Sequence, residues 1–194
     1  EALYRAQYDQ GWFMSEIVGV TLWGMQLEIL EAVRDFRRTA VRSAHGVGKS
    51  FTAACAALWF LFSFPNSIVL TSAPTQVQVT KIIWREIRAM HAKSRVPLSG
   101  VFLPKAPELQ IHLDGKPVDD WFAFGFATNM PTRAQGMHAP HMLLIFDEAA
   151  GIHPDIWTGF EGVLTGEHSR FLAIGNPTEP AGPFYKEFQS SMTQ

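Results

Sequence analysis

Cysteine and long apolar runs are both scarce in this sequence. The single cysteine, Cys55, excludes an intrachain disulfide framework and leaves no pair of thiols to bind a metal ion, which fits a reducing, intracellular setting. The longest apolar candidate, residues 53–64, is shorter than the roughly 18 residues that a membrane helix needs. We therefore expect no membrane span, and the first residues show no pattern of a secretory signal.

Charge of one sign is not in excess either. The 16 lysines and arginines nearly balance the 18 aspartates and glutamates, so the formal net charge is -2 at pH 7. Any contact with nucleic acid would therefore have to come from a local basic patch. Apolar residues are plentiful, at 47% of the 194 positions, which is enough to bury the core of one compact domain.

Short apolar runs that favour β-structure alternate with longer stretches of helical period, an order typical of an α/β fold. The runs predicted as strands are 39–43, 67–72, 109–113, 121–127, 141–146 and 171–174. The stretches predicted as helices are 22–36, 51–62 and 75–92. A turn at 114–117 separates two strands that form either an antiparallel pair or two separate edges. The Pro-rich pieces 97–107 and 177–183 are predicted as surface loops.

A glycine-rich segment follows the first predicted strand and ends in Gly-Lys-Ser. Its residues are Ser43, Ala44, His45, Gly46, Val47, Gly48, Lys49 and Ser50. Because the segment turns a strand into a helix, its backbone N–H groups and the helix N-terminus should form a cradle for phosphates. Lys49 would reach the β- and γ-phosphates of ATP, and Ser50 would place its hydroxyl on Mg²⁺. The alternative is a strand-to-helix turn that binds no ligand.

Two acidic residues end the most apolar of the predicted strands. Asp147 and Glu148 follow residues 142–146, which read as a central strand buried on both faces. Asp147 would hold the Mg²⁺ shell, and Glu148 would activate the water that attacks the γ-phosphate. Taken alone, an Asp-Glu pair at a strand end is more often a solvated turn or the start of a helix. Its combination with Lys49 and Ser50 favours the catalytic interpretation.

Two amide side chains are further candidates. Asn176 follows the last predicted strand, and ligands in open α/β sheets bind at the carboxyl ends of strands. Asn176 therefore either senses the γ-phosphate or forms a simple Asn-Pro turn. Gln26 lies in the helix before the first strand, where its amide either pairs with adenine or is exposed to solvent.

These segments, taken in order, resemble the ATPase half of a large terminase subunit, the motor that packages DNA into the heads of tailed bacteriophages. They are Trp23 with Gln26, the segment 43–50, and the stretches 71–75, 146–150 and 174–177. The resemblance spans essentially the whole chain. It implies an α/β fold of the RecA-like (ASCE) P-loop NTPase class, with a central, mostly parallel β-sheet flanked by helices. Residues 1–194 would then form a single domain, with an adenine-side helical segment at 1–37 and the core at 38–194.

The resemblance also implies roles for individual residues. Lys49 and Ser50 match the phosphate and Mg²⁺ ligands of the family, Asp147 matches its acidic strand-end residue, and Glu148 matches its catalytic carboxylate. Gln26 matches the adenine-side glutamine.

A further arginine is implied by the same resemblance. Arg133 lies where this family can carry an arginine that reaches the ATP of a neighbouring subunit, although a solvated loop arginine is the alternative. Arg42 is a second candidate for phosphate-side electrostatics. Asn176 lies in the motif that couples hydrolysis to movement. The glycine-rich segment departs from the family at Ser43, which replaces the first glycine, and near His45, where many terminases have an arginine.

The partners implied by the resemblance are double-stranded DNA, further copies of the chain in a pentameric ring, the portal and the small terminase subunit. ATP and Mg²⁺ would be the cofactors, and the site of action would be the procapsid in the host bacterial cytoplasm. No acidic triad for the nuclease domain of a full large terminase remains before Gln194, so we expect ATP hydrolysis without DNA cleavage.

Other interpretations stay open at this point. A different nucleic-acid translocase or helicase, an ATP-dependent assembly switch and a small-molecule kinase all share parts of the pattern. Lys81, Arg85 and Arg88 lie at helical spacing and either contact DNA or form a solvated basic face. His138 and His141 have a two-residue spacing but no third ligand nearby, which argues against a metal site.

Overall fold

A computed structural model describes residues 1–127, 137, 139–162, 164 and 166–190. A seven-stranded sheet forms its centre, with the strand order β1-β7-β6-β2-β5-β4-β3. The strands are β1 (Arg38–Arg42), β2 (Ser67–Ala73), β3 (Val101–Phe102), β4 (Glu108–Leu113), β5 (Lys116–Ala127), β6 (His141–Asp147) and β7 (His168–Gly175). The neighbours from β1 to β5 in this order pair in parallel, and β4 and β3 extend the sheet as antiparallel strands.

All six predicted strands are present in the sheet. The strands on either side of the turn at 114–117 pair antiparallel, which decides between the two alternatives. The loop predicted at 97–107 was wrong in part, because it contains the edge strand β3. A two-residue strand is too short to show an alternating pattern in the sequence.

The described helices cover both faces of the sheet. They are α1 (Ala2–Tyr8), α2 (Gln10–Trp12) with a π-helical continuation (Phe13–Val18), α3 (Gly24–Asp35), α4 (Lys49–Ser63), α5 (Gln76–Gln78), a π-helical turn (Val79–Ile83), α6 (Trp84–Ala92), a 3-10 turn (Ala149–Gly151), α7 (Pro154–Glu161) and α8 (Pro183–Ser190). The three predicted helices correspond to α3, to α4 and to the run from α5 to α6. Within the described ranges, no helix is both long and apolar enough to cross a bilayer.

Helix α4 is the centre of the larger apolar core. Every residue from Thr52 to Leu61 is buried, because α4 packs against the sheet on one side and against α1, α3 and α6 on the others. At the far end of the helix, the indole N–H of Trp59 donates to the carbonyl of Ala6 at 2.8 Å. The start of α4, which carries Lys49 and Ser50, is thus held in place by packing along the whole helix.

The helix that follows β2 is anchored to the sheet by one tryptophan. Trp84 is buried, and its indole N–H donates to the hydroxyl of Thr71 at 2.9 Å. A Cβ on Gly125 of β5 would collide with the indole Nε1 of Trp84, so glycine is needed there for the close approach. This contact fixes the run from α5 to α6, residues 76–92, over the carboxyl end of the sheet.

Two histidines meet at the amino ends of the central strands β6 and β7. The ring centroids of His141 and His168 lie 4.9 Å apart, and His141 also stacks near Phe64. Burial, followed by the charges of His168 and Arg170, lowers the pKa of His141 below its usual 6.5. His141 therefore binds a proton less tightly in the folded protein than in the unfolded chain.

We expect the folded state to lose stability as the pH falls below about 6.5. In this range His141 of the unfolded chain becomes protonated, whereas His141 of the folded protein stays neutral until the pH reaches its lowered pKa. The loss should level off once the pH lies below the lowered pKa of the folded state. Thermal unfolding of the wild type and of His141→Phe across this range measures the effect. Phenylalanine keeps the ring contacts without the proton site, so its curve should depend less on pH. Parallel curves would contradict the assignment.

Candidate active site

The glycine-rich segment forms a tight loop between β1 and α4. Gly46 and Gly48 have φ angles of 78° and 84°, in the left-handed region that favours glycine. The backbone N–H of Ser43 donates to the carbonyl of Gly175 at 3.0 Å, which ties the start of the loop to the end of β7. The loop thus places the N-terminus of α4 at the carboxyl edge of the sheet, where the sequence predicted it.

Lys49 is buried although it carries a charge, with only 6% of the residue exposed. Its Nζ donates to the carbonyl of Ala44 at 3.0 Å and lies 3.6 Å from Oε1 of Glu148. A buried ammonium needs polar partners, and the oxygens of a triphosphate in the loop would be stronger ones. The structure therefore brings together the predicted phosphate ligand and the predicted catalytic carboxylate.

Ser50 and Asp147 form the second contact between α4 and β6. The Ser50 hydroxyl donates to Oδ2 of Asp147 at 2.5 Å. Asp147 is 1% exposed, and burial raises its pKa above the usual 3.8, against the lowering effect of this hydrogen bond. A hydroxyl beside a carboxylate is a set of hard oxygen ligands, and Mg²⁺ commonly takes one or two such ligands together with water and phosphate oxygens. The two side chains therefore fit the predicted cation.

Glu148 has an unusual backbone conformation for a residue other than glycine. Its φ of 49° and ψ of 48° lie in the left-handed region, which costs on the order of 1 kcal/mol or more. The backbone N–H of Glu148 donates to Oδ1 of Asp147 at 3.0 Å, so the buried aspartate helps to hold this conformation. The side chain, 30% exposed, is directed to Lys49 and is open to water.

The loop and Glu148 line a cavity of 360 Å³, which we call the phosphate cavity. Most of the residues that line it, including His45, are site residues predicted from the sequence, whereas Phe51, Ile82 and Glu86 are not. Ile82 and Glu86 belong to the run 76–92 and form the wall opposite the loop. Their spacing of four residues places them on one helical face, which the sequence shows, but only the fold shows that this face meets the phosphate loop.

A smaller cavity of 190 Å³ lies between α3 and the loop. Its walls include the exposed apolar side chains of Trp23, Met25 and Val47. Gln26 is buried nearby: its Oε1 accepts the backbone N–H of Trp23 at 3.4 Å, and its Nε2 would lie 3.3 Å from a Cβ on Gly48. Of the two alternatives for Gln26, solvent exposure is therefore wrong, and the side chain borders the loop.

The remaining candidates lie at or near the same edge. Asn176 is half-buried and directly follows β7, the strand between β1 and β6. Arg42 is exposed at the end of β1, and its guanidinium stacks on Phe188 of α8 at 4.6 Å. Arg42 also lines the smaller cavity. Arg133 and His138 lie outside the described residues, so their predicted roles stay predictions.

The loop, the buried lysine and the acidic pair at the carboxyl ends of parallel strands define a P-loop NTPase of the RecA-like class. A scan against models of known protein families found no match. A probable large terminase subunit of Enterobacteria phage P7 is 32% identical over 187 residues, which is 95% of this chain and 37% of that protein.

Solved structures agree on the fold. A mutant of the large terminase ATPase domain of Thermus phage P74-26 superposes with a TM-score of 0.75 at 22% identity, covering 91% of this chain and 72% of that one. The large terminase of a thermophilic bacteriophage in complex with ATP-gamma-S superposes with a TM-score of 0.60 at 16% identity, covering 80% of this chain and 38% of that one. The chain is thus similar in sequence to a probable large terminase subunit and similar in fold to terminase ATPase domains, and it spans little more than a third of the length of its phage P7 relative.

Proposed function

We propose that this domain hydrolyses ATP to drive double-stranded viral DNA into a capsid, as the motor part of a large terminase. The observation that carries the proposal is the contact of two chain segments almost a hundred residues apart. Lys49 meets Glu148, and Ser50 meets Asp147, at one edge of the sheet. Their chemistry is that of a phosphate ligand, a general base and two oxygen ligands for a cation, which are groups that P-loop enzymes use to hydrolyse a nucleotide.

Binding would begin with the phosphates in the loop. The backbone N–H groups around Gly46 and Gly48 and the N-terminus of α4 favour negative charge there. Ser50 and Asp147 would hold Mg²⁺, which would neutralise charge on the β- and γ-phosphates. Adenine would lie in the smaller cavity against Trp23 and Val47, with Gln26 at its edge.

Hydrolysis would depend on Glu148. In the structure its carboxylate is paired with Lys49 at 3.6 Å. Phosphate oxygens would compete for the Lys49 ammonium and leave the Glu148 carboxylate to accept a proton from the attacking water. Asn176, beyond the end of β7, would respond to the γ-phosphate. Arg133 would stabilise transition-state charge in a neighbouring subunit.

The proposal extends to the assembly. Further copies of the chain would form a ring, pentameric on a portal, around the DNA. The small terminase subunit would be a further partner. The ring would act in the host bacterial cytoplasm, at the procapsid. The sequence relationship to a probable large terminase subunit supports this setting.

Steady-state ATP hydrolysis by this chain, with and without duplex DNA and at high protein concentration, tests the proposal. We expect Mg²⁺-dependent turnover that DNA increases. Lys49→Ala should bind ATP much more weakly, because the loop loses its one buried ammonium, whereas the exposed Lys93→Ala should behave as the wild type. Transfer of phosphate to a co-substrate instead of water, or turnover that Lys49→Ala leaves unchanged, would refute the proposal.

A further inference from the structure

A third cavity, lined by positively charged side chains, lies at the other end of the carboxyl edge of the sheet. We call it the basic groove. Its volume is 250 Å³, and its walls are the helical residues Thr80, Lys81, Trp84 and Arg88 on one side and the turn 104–107 between β3 and β4 on the other. The backbone N–H of Gly125 donates to the carbonyl of Pro107 at 2.7 Å, which fixes the turn near the end of β5.

Arg88 is held rigidly at the base of this groove. Its Nη2 donates to the carbonyls of Leu103 and Ala106 at 3.2 and 3.1 Å. Its guanidinium also stacks over the ring of Phe102 at 4.4 Å. These contacts order the turn and fix one positive charge without neutralising it, because carbonyls and an aromatic ring carry no formal charge.

Two lysines provide the remaining charge. Lys81 and Lys105 are exposed on opposite walls, and neither side chain has an ion pair or hydrogen bond within the described ranges. No carboxylate from the described part of the chain lines the groove. The acidic residue nearest in sequence to Lys81 on this helix, Glu86, lines the phosphate cavity instead and pairs with Arg85.

We propose that the basic groove binds a backbone phosphate of double-stranded DNA, through Lys81 and Lys105, with Arg88 beneath. Three cations without a lining carboxylate select an anion, and a groove of 250 Å³ has room for a phosphodiester. The indole N–H of Trp84 is already used by Thr71, so the groove offers no ring donor to read a base. Contacts of this kind position a duplex independently of its sequence. The inference rests on the proposed function, and it assigns DNA-contacting residues to it.

Binding of a labelled duplex as a function of salt tests the assignment. Each lost phosphate contact lowers the slope of log K against log salt by about 0.9, so Lys81→Ala/Lys105→Ala, which removes both lysines from one phosphate, should lower it by about 0.9. At low salt we expect roughly a tenfold or greater loss of affinity from the same change. ATP hydrolysis without DNA should remain at the wild-type rate, and Lys81→Arg/Lys105→Arg should retain binding.

Lys93→Ala/Lys116→Ala is the matched control. It removes the same charge from exposed lysines at the end of α6 and the start of β5, at the opposite edge of the sheet. Protection of individual lysines from acylation by bound duplex gives a second readout, and we expect protection of Lys81 and Lys105 only. If the wild type binds DNA and both double alanine variants have the same salt slope, the groove assignment is overturned and the proposed function stands. If the wild type binds no duplex at any salt concentration, both are overturned.

Discussion

Glu148→Gln should reduce kcat for ATP hydrolysis by about 10²- to 10⁴-fold, because the amide cannot accept the proton of the attacking water. ATP binding should persist or become tighter. In the wild type, the Glu148 carboxylate lies 3.6 Å from the Lys49 ammonium and competes with the phosphates for it. The neutral glutamine would remove this competition. Parallel measurements of ATP affinity and of single-turnover hydrolysis separate the two effects.

The exposed Glu167→Gln is a matched control, since it makes the same chemical change away from the loop. It should hydrolyse ATP at the wild-type rate. Near-wild-type turnover by Glu148→Gln would remove Glu148 from the role of general base. A comparable loss of ATP binding and of turnover would instead indicate that its main role is structural, for example in holding the left-handed turn at the end of β6.

Asp147→Asn should have opposite effects on activity and on stability. The wild-type carboxylate is almost completely buried, and both its burial and the nearby charge of Glu148 disfavour its ionised form. An asparagine can form a hydrogen bond to each of the same partners, with its carbonyl accepting from the Glu148 N–H and its amide N–H₂ donating to the Ser50 hydroxyl oxygen, which reverses the direction of the second bond. We therefore expect the metal-free variant to be more stable by about 1 kcal/mol, or roughly 2–4 °C in Tm.

Hydrolysis by Asp147→Asn should fall by about 10²-fold or more, because the carboxylate that would hold Mg²⁺ is gone. Thermal unfolding with increasing Mg²⁺ and ATP is the measurement that links the two results. Ligands should raise the Tm of the wild type much more than that of the variant. A variant that is less stable than the wild type without ligands would show that the buried charge is compensated by the fold.

Local sequence patterns were sufficient to predict that the two central segments of the candidate site meet. The segment 43–50 and the pair Asp147 and Glu148 each lie at the end of an apolar strand, and parallel strands bring such ends together. The three long helices could also be predicted, because apolar residues recur on one face over ten or more positions.

The residues that form the walls of the site could not be predicted from local patterns in the same way. Ile82 and Glu86 approach the loop only because the run 76–92 packs on α4, and this depends on the order of β1, β6 and β2 in the sheet. The burial of Gln26 depends likewise on how α3 packs beside the loop. The basic groove combines a helix with a turn that was predicted as a plain loop, so helical spacing alone suggested Lys81, Arg85 and Arg88 but not Lys105.

The run 76–92 has one face in the phosphate cavity and another in the basic groove. Ile82 and Glu86 line the phosphate cavity, whereas Lys81 and Arg88 line the basic groove, and the π-helical turn Val79–Ile83 carries one residue of each set, Ile82 and Lys81. A displacement of this helix on nucleotide binding would therefore change the shape of the groove as well. Thermodynamic linkage then requires reciprocity: the factor by which ATP alters the affinity for DNA must equal the factor by which DNA alters the affinity for ATP. One shared helix would thus couple the proposed ATP site to the proposed DNA site.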